Sequence, residues 1–189
     1  MDFSLTNEQK MIIDTLKTFV EQELYPHEME VEKTNQIRPE LAAQIKQKAL
    51  DLGLYAANMP EEHGGAGLDT LTLCLMEREL GRANFGLQYI VARPSNILLA
   101  CKGDQIENYL LASIRGDKVD CLAMTEPNAG SDVRSMQCRA ERDGDGFVIN
   151  GTKHFISHAD AADFVILFAA SGVEQTSRGP KKKITSFLI

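Results

Sequence analysis

The hydrophobic pattern changes period once, after Gly116, and that change governs what the chain can fold into. Before it, apolar residues recur every three to four positions, the repeat of helices with one buried face. From Thr6, with Gln9 three residues on as a capping box, Ile12, Ile13, Leu16, Phe19, Val20 and Leu24 keep that spacing until Pro26, where the run is expected to stop. Pro39 opens a second helix through Leu41, Ile45, Ala49 and Leu52, with Gly53 just past its end. MPEEHGGAGLD at 59–69 reads as loop, and a third helix is expected over 69–83 with Asp69 or Thr70 as its cap. Residues 86–101 read as a buried helix that Pro94 kinks or delays, and 104–115 as another amphipathic one through Ile106, Tyr109, Leu110 and Ile114.

After Gly116 the runs are short and strand-like: CLAMTE, MQCRAERD, FVINGTKHFIS, DFVILFAA and KITSFLI. Turn chemistry separates them, at Asp143-Gly144-Asp145-Gly146 and at Asn150-Gly151. The expected organisation is a helical domain at 1–117 and a β domain at 118–189. Residues 184–189 form an apolar run with no solvated tail, so the β domain reads as cut in mid-sheet, with an uncovered edge that would make the 189-residue chain oligomeric or aggregation-prone.

Charge narrows the partners. Twenty Lys+Arg against 27 Asp+Glu leave a net charge of −7. The single basic cluster, Lys181, Lys182 and Lys183, has no interleaved aromatics, which argues against nucleic acid. Apolar runs fall far short of the ~20 residues that span a bilayer, so no membrane span is expected. The acidic, polar start MDFSLTNEQK has the layout of neither a secretion signal nor a transit peptide. Cys74, Cys101, Cys121 and Cys138 contain no C-x-x-C spacing, and reduced, mostly buried thiols are expected.

The segment Leu122-Ala123-Met124-Thr125-Glu126-Pro127-Asn128-Ala129-Gly130-Ser131-Asp132 is the first strand-to-loop junction of the β domain. Pro127 and Gly130 force an irregular turn in which backbone N–H groups and the Thr125 and Ser131 hydroxyls can face an acceptor-rich ligand. On these residues alone, a turn stapled by its own Thr, Asn, Ser and Asp side chains is the better explanation of the segment. Ala123 to Asp132 also resembles the acyl-CoA dehydrogenase signature: small, aliphatic, Ser/Thr, Glu, two variable positions, small, Gly, Ser/Thr, Asp. PEEHGG at 60–65, MERELGR at 76–82 and INGTKHFIS at 149–157 follow the family's order, so the resemblance covers essentially the whole chain.

That resemblance implies an α+β fold: an N-terminal all-helical bundle domain followed by an incomplete antiparallel β-barrel-like domain. It implies FAD as cofactor and oxidation of an acyl-CoA thioester to the 2,3-enoyl-CoA. It assigns flavin contacts to Leu122, Met124, Thr125, Gly130 and Ser131, with Ser131 also beside the substrate. A second contact strand is Phe155-Ile156-Ser157, whose alternation would send an aromatic shield and a hydroxyl donor to one face; the commonest family pattern has Trp and Thr there. Without the upstream signature, an ordinary hairpin with Phe155 in the core would explain this stretch equally well. The family's catalytic base is a glutamate of a C-terminal helical domain, and no Glu of this chain matches it, so no catalytic residue is expected in 1–189. Glu126 and Arg82 are assigned structural roles. Arg93 is a candidate for a polar acyl tail, or for a surface salt bridge.

Other chemistry finds little support. His63-Gly64-Gly65-Ala66-Gly67 has no G-x-S-x-G elbow to supply a nucleophile, and His154 and His158 have no acidic or thiol companions at metal-ligand spacing. Expected partners are an acyl-CoA, an electron-transfer flavoprotein and further copies of the chain as a dimer or homotetramer. The expected setting is fatty acid metabolism in a bacterial cytoplasm or a mitochondrial matrix. The alternatives are an acyl-CoA oxidase of the same fold and a non-catalytic association module.

Overall fold

The computed structural model describes residues 4–91, 94–177 and 179–189; Arg93 lies outside the described residues. The chain divides into two compact units, the first ending at Asp117 and the second starting at Lys118.

In the helical unit, α1 (Asn7–Phe19) starts on the expected capping box. Thr6 Oγ1 accepts the Gln9 N–H at 3.1 Å, and the Gln9 side chain accepts the Thr6 N–H at 3.1 Å. The run does not stop at Pro26. It passes through a π-helical turn at Val20–Leu24 and a 3₁₀ turn at Tyr25–His27 into α2 (Glu28–Thr34). Pro26 is tolerated because it falls in the first turn of the 3₁₀ segment, where a missing N–H costs little. α3 (Pro39–Asp51) buries Leu41, Ile45 and Ala49 as its periodicity requires.

α4 (Thr70–Leu80) is capped by Asp69, whose carboxylate accepts from the N–H of Leu71 at 2.8 Å and of Thr72 at 3.1 Å. Two pieces replace the single helix expected over 86–101: α5 (Phe85–Ile90) and a 3₁₀ turn at Asn96–Ala100. Pro94 stands between them and has no N–H to donate to a continuing helix. Residues 106–111 are π-helical and lead into α6 (Ala112–Ile114). The core includes Leu16, Leu24, Ile45, Met59, Met76, Leu87, Leu98 and Leu110, each nearly inaccessible. Among the described residues, no helix is long and apolar enough to cross a membrane.

Among the described residues, the β unit holds five strands: β1 (Asp120–Ala123), β2 (Arg139–Asp143), β3 (Gly146–Asn150), β4 (Phe164–Thr176) and β5 (Gly179–Leu188). β4 is the organising strand. One edge pairs antiparallel with β5, while the other pairs parallel with β1 along Phe164–Leu167 and with β2 at Ala170. The fold is α+β as expected, with an open sheet. Its pairing is mixed rather than wholly antiparallel, because the long crossover between β1 and β4 returns the chain in the same direction. Cys138, Ala140 and Ala169 form a small core packed by Ile149, Leu167 and Phe187.

FVINGTKHFIS is a strand only through Asn150. The β2–β3 hairpin turns at Gly144-Asp145, whereas Asn150-Gly151 ends β3 and makes no hairpin. Phe155 and Ser157 therefore lie on irregular backbone and not on one face of a strand. The four cysteines are free: Cys121 and Cys138 are buried, Cys101 is half-buried and Cys74 is exposed.

Candidate functional site

The turn after β1 is built by its own backbone. Glu126 N–H donates to Ala129 O at 2.9 Å and Ala129 N–H returns to Glu126 O at 3.2 Å, closing a tight turn over Pro127 and Asn128. Met124 and Thr125 are half-buried, and Leu122 is exposed. Gly130 and Ser131 follow as an exposed bend before a 3₁₀ turn at Val133–Ser135. Among the described residues, the N–H groups of Gly130 and Ser131 and the hydroxyls of Thr125 and Ser131 find no hydrogen-bond partner.

The Glu126 side chain turns inward and is 4% exposed. Its carboxylate accepts from the N–H of Gln137 at 2.5 Å and of Cys138 at 2.9 Å, and from Lys153 Nζ at 2.9 Å. Burial alone would raise its pKa. The Gln137 N–H, the Lys153 ammonium and the Cys138 N–H together outweigh that and hold it below the usual 4.5. Lys153, with a side chain 8% exposed, also donates to Met124 O at 2.9 Å. One residue on, His154 N–H donates to Thr125 O at 2.8 Å. Residues 153–154 thus lie along 124–126, which brings two of the segments marked in the sequence side by side.

The return of this segment depends on Gly151. A Cβ there would stand 2.6 Å from Cys138 Cα, and its φ of 152° is one that side chains rarely adopt. Past the crossing, Phe155 has a left-handed backbone with φ 56° and a ring 82% exposed, stacked on His154 at a centroid distance of 3.7 Å. A left-handed aromatic residue is uncommon and carries backbone strain. Ser157 is exposed and Ile156 half-buried. Burial, partly opposed by Asp160, lowers the pKa of the half-buried His158.

The structure therefore assembles Met124 and Thr125 with the stretch that leads to Phe155, and leaves Leu122 on the strand before them. It also shows what the sequence did not single out: Lys153, whose partner stands 27 positions earlier. No periodicity links two such residues, and nothing in the INGTKHFIS landmark itself points from Lys153 to Glu126. Two clefts accompany these features. One of about 430 Å³ adjoins the crossing, lined in part by Pro127, Gln137, Asn150 and Thr152. A larger one of about 620 Å³ lies between α1 and α3 in the helical unit, beside Phe19 and Leu52. Its Lys48 is already paired with Glu23 at 2.5 Å and its Thr18 hydroxyl donates to Asp14 O at 3.0 Å, so the turn rather than the larger hollow is taken as the candidate site. Among the described residues, no His/Cys/Asp/Glu group could hold a metal ion.

Residues 6–117 match the family model described as acyl-CoA dehydrogenase, N-terminal domain, and residues 121–189 match acyl-CoA dehydrogenase, middle domain. Benzylmalonyl-CoA dehydrogenase of Aromatoleum aromaticum is 34% identical over all of this chain and 48% of its own length. A solved structure of the electron transferring flavoprotein of Acidaminococcus fermentans, from work on flavin-based electron bifurcation, superposes with a TM-score of 0.81 at 31% identity. That match covers 100% of this chain and 49% of the other. An acyl-CoA dehydrogenase complexed with FAD from Bacillus anthracis gives a TM-score of 0.78 at 26% identity, covering 98% of this chain and 31% of the other. The chain spans about half the length of the curated relatives it matches.

Proposed function

The chain belongs to the acyl-CoA dehydrogenase family, and on that premise we propose that the protein carrying it is an FAD-dependent oxidoreductase that introduces a 2,3-double bond into an acyl-CoA thioester. The observation that carries this reading is the unspent donor set of the turn after β1. Two hydroxyls, Thr125 and Ser131, and two backbone N–H groups, Gly130 and Ser131, have no protein partner among the described residues. A segment tied to that turn ends in the uncovered ring of Phe155.

The residues fit a flavin. Its ring system has a polar edge of carbonyl and ring-nitrogen acceptors, which need donors when taken from water, and flat apolar faces that an aromatic can cover. Gly130 fits as well. A Cβ there would meet nothing within 4 Å, so the protein itself does not demand a glycine, and the open space suits close approach by a ligand. In this reading Leu122, Met124, Thr125, Gly130 and Ser131 hold the polar edge, Phe155 shields a face, Ser157 donates near the reactive nitrogen, and Ser131 also borders the acyl-CoA.

When bound, FAD supplies a hydride acceptor for the substrate's β-hydrogen while a base removes the α-proton. This chain's own contribution is to bind, orient and exclude water. We assign the catalytic base to a residue outside 1–189, and take the electron acceptor to be an electron-transfer flavoprotein. The test is to purify the protein that carries this chain, load it with FAD and add acyl-CoA anaerobically. Bleaching of the flavin with formation of the enoyl-CoA is expected. A flavin-loaded protein that no acyl-CoA bleaches would contradict the substrate class.

A further inference from the structure

Among the described residues, Glu126 and Lys153 are the most deeply buried ion pair of the β unit, with side chains 4% and 8% exposed. Fold stability is a weak reason for such a pair, because desolvating two charges offsets much of their attraction, and apolar residues of similar volume often do as well. What the pair adds is register. The Glu126 carboxylate accepts from the N–H groups of Gln137 and Cys138 and from Lys153 Nζ, which also donates to Met124 O, so three stretches meet at one carboxylate. Thr125 lies between the two residues to which Lys153 is tied, and Phe155 stands two positions beyond Lys153.

We propose that the buried Glu126–Lys153 pair is a positioning device that sets the Thr125 turn against the Phe155–Ser157 segment, and so tunes how the flavin is held. The inference rests on the flavin reading above. Neither residue is catalytic; both act through the groups beside them. The pair is neutral overall, so removing both charges together leaves the net charge unchanged and isolates the positional effect.

The experiment uses the protein that carries this chain, at its natural length, with FAD titrated into flavin-free wild type and into the double variant Glu126→Gln/Lys153→Met. The expected result is a flavin-free melt close to wild type, FAD bound about tenfold or more weakly, and a shifted absorption band of the bound flavin, because small displacements of positioning groups are costly. Wild-type affinity together with an unshifted band would overturn the proposal. Should the double variant fail to fold, Glu126→Asp keeps the charge and shortens its reach. Weaker FAD binding by that folded variant supports the proposal, and unchanged binding overturns it. Wild-type protein that takes up no flavin defeats the functional reading first and this inference with it, and is told apart because the unmutated protein fails.

Discussion

Gly151 sits where no side chain fits, with Cys138 Cα, Cβ and Sγ all within 2.9 Å of where a Cβ would be. Gly151→Ala must push 151–157 away from β2, so it is expected to cost ~2 kcal/mol or more in a thermal melt, the scale of overpacking in a tight site. An unchanged melting temperature would show that the crossing yields freely. The sequence marks this residue for another reason: Asn-Gly spells a hairpin turn, while the demand is a close approach visible only once β2 lies beside it. Phe155 and Ser157 were legible as residue types but not in conformation, since a left-handed aromatic leaves no trace in an alternation pattern. On the flavin reading, Ser157→Ala removes a hydrogen bond worth about 0.5–1.5 kcal/mol net. Its effect should grow as charge develops on the ring. Flavin bleaching by acyl-CoA should therefore slow more than FAD affinity falls, and equal bleaching rates would refute the role.

Among the elements, α4 is held to the π-helical turn by a small charge network. Glu79 is buried and accepts from Arg78 Nε at 3.0 Å and Nη2 at 2.8 Å, and from Arg82 Nη1 at 3.3 Å. Arg82 also reaches Glu21 at 3.4 Å and lies over the Tyr25 ring, 5.6 Å from its centroid. Burial would raise the Glu79 pKa, but the two guanidiniums hold it below the usual 4.5. Glu126 is held below the same value. The unfolded chain therefore binds more protons at these sites as pH falls past 4.5, so the stability they contribute is present above that value and is lost toward their lower folded pKa values. Glu79→Gln or Glu126→Gln is expected to flatten the acid limb of a stability-versus-pH curve. Parallel acid limbs for variant and wild type would contradict this. Helix identity was readable wherever 3.6-residue periodicity ran unbroken, as in α1 and α3. It did not distinguish the type of backbone hydrogen bonding at Val20–His27 and Ile106–Leu111, because segments this short hold too few turns for a 3₁₀ or π repeat to show in the apolar spacing.

For the molecule as a whole, the switch of period after Gly116 coincides with the boundary between the two compact units, which a change in periodicity marks without any tertiary information. Strand direction was not readable: a short apolar run marks a strand, but whether it pairs parallel or antiparallel depends on the path of the chain between the strands. The site was legible as a motif, because Thr125 to Ser131 are contiguous, and illegible where it depends on Lys153 meeting Glu126 from a distant stretch. On the proposal that the base lies outside 1–189, a preparation shown by mass spectrometry to hold only these residues should give no turnover of acyl-CoA with an artificial electron acceptor, and turnover would place the base within this chain. The most direct measurement is FAD uptake by the protein that carries this chain, followed by flavin absorbance after gel filtration. The account predicts that FAD stays with the folded protein and that Thr125→Ala or Ser131→Ala weakens its retention. A folded, cooperatively melting protein that retains no flavin, even with FAD added in excess, would contradict it.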